Sequence, residues 1–405
     1  MSEGKMPIRI LYDEGGFYES HGGVTRYFTE LMKRLGDYGC AWKLAMVSTG
    51  NSYLQAPPFN LPPHLQTVND FIQKFCGGHY FPGVGHLYRF LSRFFPHAFP
   101  SGEVANMRAV DGALTEGNFD VYHPTAPHLV RGAYKRWLGT KPMVVTVHDL
   151  IPEVISNDSS VRRNRKSVLN RADAIVAVSE NTKKDILRLY NVPEEKIHVI
   201  YHGYLAPELK EERQEVEGLD LSKPYLVFIG KRDGYKNFTW FLRAVAPLLR
   251  KGLHLVCTGT PFPQDEKSLL VQEGVSDQVV QRFFTDGEMT TLLRQAVAFV
   301  YPSLYEGFGI PILDAFAARC PVILSKASCF PEVGGDAALY FEVGDEIGLR
   351  TQISRLLEDS ALRESLIEKG FQRKSLFSWD KCAQQTVQVY QEVVGKYVNE
   401  RGRGV

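Results

Sequence analysis

Two acidic residues, Glu306 and Asp314, stand on either side of a glycine-containing loop in the C-terminal half of the chain. The apolar run 299–301 before the loop is typical of the end of a buried strand, and Pro311 suits the first turn of a helix, where no N–H partner is needed. Backbone N–H groups at the start of a helix have no partner within the helix and can bind phosphate. The pattern therefore predicts a strand that delivers Glu306, a helix that carries Asp314 about one turn in, and phosphate-binding amides between them. Those amides belong to Gly307, Phe308, Gly309 and Ile310.

Three cations, Lys231, Arg232 and Lys236, lie between a candidate strand at Tyr225–Ile229 and a predicted helix from about Phe238 to Leu249. The start of a helix is an unfavourable place for positive charge because of the helix dipole, so this clustering indicates an anionic ligand. Fixed cations stabilise the negative charge that develops on a leaving diphosphate. We expect Arg232 and Lys236 to supply that charge, the first as a bidentate fork and the second as a compact point charge.

Two features of the N-terminal half could face the same ligand. Gly22 and Gly23 end a loop and open a helix, so they either admit phosphate near the helix amides or simply form a turn. His148 follows a predicted strand at Met143–Val147, and ligands of open α/β sheets bind beyond the carboxyl ends of strands. Its imidazole would then hydrogen-bond a sugar hydroxyl or a carbonyl; the alternative is a satisfied structural histidine.

Composition indicates an ordinary globular protein. The chain has 405 residues, 44% hydrophobic and 23% charged, with a net charge of +1, which argues against a global nucleic-acid binder. Its six cysteines form no C-x-x-C pair, so we expect free thiols in a reducing cytoplasm. We see no signal peptide and no spanning helix in the sequence. A D-x-D pair, a P-loop, a G-x-S-x-G and a full dinucleotide fingerprint are all missing, so metal, ATP, hydrolase and NAD functions are less well supported, and we expect no metal site.

Strands and helices alternate along the chain, which predicts parallel sheets. The alternation stops at 206–223, a charged stretch poor in aromatic residues that reads as a linker, and then starts again. We therefore predict an α/β protein of two doubly wound, Rossmann-like domains with a cleft between them. The predicted divisions are residues 1–205, the linker 206–223, a second domain at 224–378, and a C-terminal helix at 379–405 that packs back on the first domain.

The segment from Glu306 to Asp314 resembles the Glu-x7-Glu motif of the retaining nucleotide-sugar glycosyltransferases of the GT-B fold, the family 4 or group 1 type. The chain departs from that motif in having Asp314 as the second acid. His148 within H-D-L-I-P resembles the family's donor-sugar histidine, and Gly22-Gly23 resembles its diphosphate-facing pair. In many members the phosphate-binding arginine directly follows the glycine, whereas here Lys231 takes that position and Arg232 comes one residue later.

The resemblance implies transfer of a sugar from a nucleotide-diphosphate donor, with retention and without a metal or other cofactor. It places the donor mainly in the C-terminal domain and a glycan or lipid-linked acceptor in the N-terminal one. Glu306 would hold donor-sugar hydroxyls and stabilise positive charge at the anomeric carbon, Asp314 would hold the ribose, and His148 would contact the donor sugar. The H-D-L-I-P and G-x-R-x-x-x-K-N stretches look like those of polysaccharide mannosyltransferases, so a mannose-type GDP- or UDP-linked donor is favoured.

Two other functions remain open at this point. One is another enzyme of the same fold, such as a nucleotide-sugar epimerase or a phosphorylase. The other is a non-catalytic subunit that binds a nucleotide sugar. Asp314, in place of the second glutamate of the motif, favours this alternative slightly. Hydrolysis of a donor by the purified protein would distinguish an enzyme from a binder.

Two basic stretches in the N-terminal half suggest a surface that touches anionic membrane. In Leu87–Phe95, aromatic and aliphatic residues alternate with Arg89 and Arg93, which predicts either a membrane-surface helix or a helix packed on the core. The run Arg162–Lys166 is either a solvated helix face or a contact to an anionic lipid or acceptor. We therefore expect a cytoplasmic protein with a peripheral contact to the inner membrane face.

Overall fold

The structure is a computed structural model that describes residues 6–18, 22–64, 72–73, 82–95, 101–127, 141–204, 216, 219–232 and 234–402. Most of the predicted linker 206–223 lies outside these residues. Of its described part, Val216 is buried in the core of the C-terminal domain, and Leu219 and Leu221 pack against the same core.

Six parallel strands, labelled β1 to β6 in chain order, form the described part of the N-terminal domain. Strands β1, β2 and β3 pair in the order β2-β1-β3, and β4, β5 and β6 pair in chain order. A parallel bridge between Tyr122 and Met143 joins the two groups side by side. The strands span Ile8–Tyr12, Cys40–Leu44, Val121–His123, Val144–Val147, Ala174–Ala177 and Ile197–Val199.

The six strands described in the C-terminal domain, β7 to β12 in chain order, pair in the order β12-β11-β10-β7-β8-β9, and every pair is parallel. This is the strand order of a doubly wound mononucleotide fold, in which the first strand pairs with the fourth and the order reverses between them. The strands span Tyr225–Phe228, His254–Thr258, Val279–Arg282, Ala298–Tyr301, Val322–Ser325 and Leu339–Phe341.

The described helices cover both sheets. In the N-terminal domain α1 to α7 span Gly23–Leu35, Ser52–Gln55, Val84–Phe94, Gly102–Glu116, Ile151–Val154, Ser159–Arg171 and Glu180–Leu189. Then α8 to α15 span Phe238–Leu249, Gln264–Gln272, Asp286–Gln295, Ile310–Ala317, Phe330–Gly334, Glu346–Glu358, Ser360–Arg373 and Trp379–Gly402. None of these helices is both long and apolar enough to cross a membrane.

The second strand covers Cys40–Leu44, and its register against β1 pairs Ile8 with Cys40. Helix α10 is capped by Thr285, whose side chain and that of Glu288 form a reciprocal capping box. The helices α8 and α11 begin where their sequences predicted, the second with Pro311 in its first turn.

The C-terminal helix α15 packs on the N-terminal domain. Its Tyr390 is fully buried, and the hydroxyl lies 2.8 Å from that of Tyr12 and 2.6 Å from Nδ1 of His123. Trp379, at its first turn, fills the space above Gly203, where a side chain would overlap the tryptophan backbone. The chain thus crosses from the first domain to the second and returns, which fixes the two sheets across a shared interface.

Candidate active site

Strands β7 and β10 lie side by side at the point where the strand order of the C-terminal sheet reverses, with Leu226 opposite Ala298. The loop after β7 carries the predicted cations, and the loop after β10 carries Glu306. Ligands of doubly wound sheets bind at this reversal point, beyond the carboxyl ends of the strands. The topology therefore brings the cation loop and Glu306, about 70 positions apart in the chain, to one place.

Lys236 and Glu306 form an ion pair there, with Nζ 2.6 Å from Oε1. The lysine also donates to the hydroxyl of Tyr301 at 2.9 Å, the last residue of β10. Both charged side chains are nearly buried, with 12% and 11% of their surfaces exposed. Burial, reinforced by the Glu306 carboxylate, raises the pKa of Tyr301 well above its ordinary value, so the phenol stays protonated. Tyr301 was read from the sequence only as a strand residue.

The backbone of Glu306 is held independently of its side chain. Its N–H donates to Oγ of Ser328 at 3.0 Å, and its carbonyl accepts from the thiol of Cys329 at 3.3 Å. Both partners lie between β11 and α12, the next elements of the same sheet. A carboxylate on a backbone fixed at both peptide groups is preorganised for a ligand, because no rearrangement is needed to present it.

Arg232, which we expected to supply charge to the diphosphate together with Lys236, does not join this pair. Its Nε donates to Oε2 of Glu266 at 2.7 Å, and one terminal nitrogen donates to the carbonyl of Thr260 at 2.6 Å. The guanidinium also lies over the ring of Phe262, 4.6 Å from its centroid. The arginine is therefore buried in an ion pair that ties the loops after β7 and β8 together. Lys231, the other candidate, is exposed to solvent.

The glycine loop contacts the N-terminal domain. A side chain at Gly307 would overlap the carbonyl oxygen of His148, so only glycine permits this approach. The Gly307 carbonyl accepts a hydrogen bond of 2.7 Å from Oγ of Ser179 and one of 3.3 Å from Oγ1 of Thr182. The absence of a side chain at Gly307 thus admits the opposite domain, and the expected phosphate contact of its amide stays a prediction.

Phe308 is 3% exposed and packs between the two domains, with its ring centroid 4.9 Å from that of His202 and 5.7 Å from that of Phe377. The ring is therefore a contact between the domains, and the expected phosphate contact of the Phe308 backbone amide stays a prediction. Gly309 has φ +90° and precedes the first residue of α11, Ile310, which is 8% exposed. The loop thus turns sharply into the helix that carries Asp314.

Asp314 is paired with a residue that the sequence did not single out. Both of its carboxylate oxygens accept from Arg26 on α1, at 2.8 and 3.0 Å. Gly22 precedes that helix and Gly23 is its first residue, and a side-chain carbon at Gly23 would lie 3.8 Å from Ile310. The start of α1 therefore faces the start of α11 across the interface. The position of Arg26, three residues beyond a glycine pair, was the available clue.

His148 lies at the same interface, at the end of β4. Its ring packs edge-on to Tyr27 at 4.8 Å and is stacked on His202 at 5.7 Å between centroids. Burial and the neighbouring His148 lower the pKa of His202 well below its ordinary value, so His202 is neutral. Of the predicted residues, the structure brings Lys236 and Glu306 into direct contact and places His148 against Gly307, while Arg232 points elsewhere.

The two stretches proposed for membrane contact differ from one another. On α3, Leu87 is 41% exposed and Phe90 and Phe94 are 58% and 59% exposed, and Phe95, which follows the helix, is 58% exposed. The basic run on α6 is partly structural, since Arg165 is 4% exposed and pairs with Glu153 at 3.1 Å. That arginine also donates to the carbonyl of Asp149, so it supports the loop after His148 and does not face solvent.

Among the described residues, no three His, Cys, Asp or Glu side chains are grouped so that they could hold a metal ion. The cysteines in the same part of the chain are free and buried: Cys40, Cys257, Cys320, Cys329 and Cys382.

Two known families together match most of the chain. Residues 21–204 match Glycosyltransferase Family 4, and residues 210–373 match Glycosyl transferases group 1. The O-antigen chain mannosyltransferase B of Escherichia coli is 28% identical over 389 residues, covering 91% of this chain and 95% of that protein. The MMP alpha-(1->4)-mannosyltransferase of Mycolicibacterium hassiacum is 30% identical, over 74% of this chain and 77% of that one.

Solved structures agree on the fold. The sucrose-phosphate synthase of Thermosynechococcus elongatus superimposes with a TM-score of 0.70 at 20% identity, over 97% of this chain and all 100% of that one. Anabaena HepE, solved in complex with UDP and glucose, gives a TM-score of 0.69 at 16% identity, over 95% and 99% of the two chains. Both align with the two doubly wound domains described above. The chain therefore belongs to the family 4, group 1 glycosyltransferases and has the GT-B fold.

Proposed function

We propose that this glycosyltransferase moves a hexose, of mannose type, from a GDP- or UDP-linked donor to a glycan or lipid-linked acceptor in the synthesis of a cell-surface polysaccharide. The transfer proceeds with retention of anomeric configuration and without a metal ion. The observation that carries this proposal is the ion pair of Lys236 and Glu306, nearly buried at the reversal point of the C-terminal sheet.

The ion pair supplies the two charges that glycosyl transfer needs. As the bond between the sugar and the diphosphate breaks, negative charge grows on the phosphate and positive charge grows at the anomeric carbon. A fixed ammonium stabilises the first and a fixed carboxylate the second, and each is worth more in a site that excludes water. We assign these roles to Lys236 and Glu306. His148 contacts the donor sugar from the N-terminal side of the interface.

The stereochemical proposal rests on how the Glu306 carboxylate is held. Retention by double displacement requires a carboxylate nucleophile beside the anomeric carbon. Glu306 lies at the reversal point, and its side chain is paired with Lys236. We therefore propose attack on the same face from which the phosphate leaves, with the leaving phosphate accepting the proton of the acceptor hydroxyl. The carboxylate then balances charge and forms no bond to the sugar.

Relatives support the choice of donor and pathway. Two of them are named as mannosyltransferases, one for an O-antigen chain, which favours a mannose-type donor and polysaccharide synthesis. HepE was solved with UDP and glucose, and also with UDP-glucose, which supports a nucleotide-diphosphate sugar as the class of donor.

A thermal-shift screen followed by product analysis tests the proposal. Purified protein is screened with GDP-mannose and with UDP-glucose, UDP-galactose and UDP-N-acetylglucosamine; a ligand at 100 times its dissociation constant stabilises by about 2.7 kcal/mol. The stabilising donor is then incubated with candidate acceptors in EDTA, and proton NMR of the first product reports its anomeric configuration. We expect a retained anomer and full activity in EDTA. An inverted anomer, or activity that returns only with Mg²⁺ or Mn²⁺, would contradict the mechanism.

The exposed face of α3 supports a further part of the proposal, a peripheral contact with anionic membrane. Leu87, Phe90 and Phe94 present apolar surface, and Arg89 and Arg93 lie on the same helix. Arg89 is 43% exposed, although it also reaches Glu103 at 3.2 Å. Apolar and basic groups on one helix face suit the boundary between lipid headgroups and acyl chains. This contact would bring the N-terminal domain to a lipid-linked acceptor.

A further inference from the structure

The ion pair between Arg26 and Asp314 joins the two domains at the second acid of the motif. Two parallel hydrogen bonds, of 2.8 and 3.0 Å, link the guanidinium to both carboxylate oxygens. The arginine side chain is 15% exposed and the aspartate 31%. Burial opposes the charge of Arg26, yet Asp314 outweighs it and the pKa of Arg26 lies above its ordinary value.

The pair is one of several contacts through which the N-terminal domain holds the motif. Ser179 and Thr182, at the start of α7, bind the carbonyl of Gly307 near the other end. The segment 306–314 is therefore fixed from the opposite domain at both ends. This arrangement controls the direction in which the Asp314 carboxylate points, because its helix and its two oxygens are both constrained.

The lone pairs of the carboxylate show what remains available to a ligand. An ionised carboxylate has about four acceptor sites on its two oxygens, and a bidentate arginine uses two of them. Two sites, one on each oxygen, are left for further donors. Two neighbouring hydroxyls of a ribose are a matching pair of donors, and 31% of the aspartate side chain is still exposed to receive them.

We propose that Arg26 is a positioning residue for the nucleotide: it orients Asp314 so that the free lone pairs of the carboxylate face the 2′ and 3′ hydroxyls of the donor ribose. This inference rests on the proposed function, since it needs a nucleotide sugar as donor. Recognition of the ribose by the C-terminal domain then depends on a residue of the N-terminal domain. A nucleotide bound while the domains are apart would lose that part of its affinity.

Calorimetry with nucleotides that lack the hydroxyls tests the inference. The dissociation constants of UDP, GDP and their 2′,3′-dideoxy analogues are measured for the wild type and for Arg26→Gln, Arg26→Lys and Asp314→Asn. We expect the wild type to prefer the ribonucleotide by at least about tenfold, as for hydrogen bonds to a charged acceptor. Asp314→Asn and Arg26→Gln should reduce the preference to less than about threefold, and Arg26→Lys, which lacks the fork, should fall between.

A matched control and an exchanged pair distinguish positioning from a structural link. Arg34→Gln removes a cation of the same helix that pairs with Glu30 and Asp380, and it should keep the wild-type preference. The exchange Arg26→Asp with Asp314→Arg rebuilds an ion pair and should recover thermal stability without recovering the preference for ribose.

The outcomes separate this inference from the proposed function. If Arg26→Gln weakened ribonucleotide and dideoxynucleotide equally, or kept the wild-type preference, Arg26 would be only a link between the domains and the inference would fall alone. If the wild type bound neither UDP nor GDP, the proposed function would fall with it. Recovery of the ribose preference in the exchanged pair would also refute the inference.

Discussion

Arg232 and Lys236 are four positions apart on one loop, yet they point to opposite sides of it. Strand β7 ends at Phe228, and its neighbours in the sheet are β8 on one side and β10 on the other. Arg232 turns to the β8 side, where it binds Glu266, whereas Lys236 turns to the β10 side, where it binds Glu306. The order of the strands, and not the spacing of the cations, decides which of them lies in the site. The same contrast recurs across the molecule: of two like residues, one is held in a structural contact and the other faces a proposed ligand.

Removing the structural cation should cost the most stability. Arg232→Ala leaves Glu266 as an unpaired, nearly buried carboxylate, and breaking a buried pair in this way costs about 3–5 kcal/mol. Urea unfolding followed by circular dichroism measures the loss. The double variant Arg232→Met/Glu266→Leu, which removes both charges, should recover much of it. If Arg232→Ala had the unfolding free energy of the wild type but no longer bound donor, Arg232 would be a donor-binding residue and not a structural one.

Removing Lys236, the cation at the candidate site, should lower the rate of transfer more than it lowers stability. Lys236→Ala should lower kcat/KM by about 10²–10³-fold, the loss seen when a preorganised donor to a developing negative charge is deleted. Its unfolding free energy should change less than that of Arg232→Ala. Lys251→Ala, an exposed lysine of the same domain, serves as the control and should retain activity. Steady-state kinetics in the donor decides, and a Lys236→Ala enzyme with normal kcat/KM would show that the lysine is structural.

Two histidines at the ends of neighbouring strands repeat the contrast. His148 faces the interface, whereas His123 is buried and hydrogen-bonded to Tyr390 and Thr146, and burial lowers its pKa to about 3. The unfolded chain then binds a proton near pH 6.5 that the folded protein does not, so stability falls as the pH drops from about 6.5 towards 3, by up to about 1.4 kcal/mol per pH unit.

Urea unfolding at several pH values, in wild type and in His123→Asn, measures that slope. The variant should lose the His123 share of the pH dependence, whereas the exposed His86→Asn should keep it. If the unfolding free energy of His123→Asn depended on pH as steeply as that of the wild type, His123 would not contribute to the loss of stability at low pH.

The smallest expected effect concerns the arginines of the N-terminal domain. Arg165 is buried with Glu153, whereas Arg89 and Arg93 lie on the exposed face of α3. Each basic residue near an anionic surface is worth about 1 kcal/mol, so Arg89→Glu/Arg93→Glu should weaken co-sedimentation with anionic vesicles at low salt. The exposed pair Arg162→Glu/Arg163→Glu on α6 provides the comparison. If the wild-type protein stayed in the supernatant with anionic vesicles at low salt, the proposed membrane contact would be wrong.

The sequence predicted what local patterns control. Apolar runs located the strands at Val144–Val147 and Tyr225–Phe228, and Pro311 located the start of α11. It also identified Glu306 and Lys236, because each follows a strand and precedes a helix. Their roles in the reaction remain predictions. The contact between them follows from strand order, which neither segment encodes alone.

The partners that the sequence missed are all distant in the chain. Arg26 lies 288 positions from Asp314, and Glu266 lies 34 from Arg232. Gly307 carried a correct signal, a backbone that must approach something closely, but the approaching group is the carbonyl of His148. A glycine in the sequence indicates that another group approaches the backbone closely, but it does not indicate which group that is. Contacts between domains therefore had to come from the structure.

The central claim is that the pair of Lys236 and Glu306 is the reaction centre, whereas the pair of Arg232 and Glu266 holds the fold. The most direct measurement compares Glu306→Gln with Glu266→Gln, an isosteric change in each pair, by kcat, nucleotide Kd and urea unfolding. We predict that Glu306→Gln lowers kcat by at least about 10²-fold with nucleotide affinity within a few-fold of wild type. Glu266→Gln should lose stability and keep its kcat per folded molecule. Normal turnover in Glu306→Gln, or a folded but inactive Glu266→Gln, would contradict the claim.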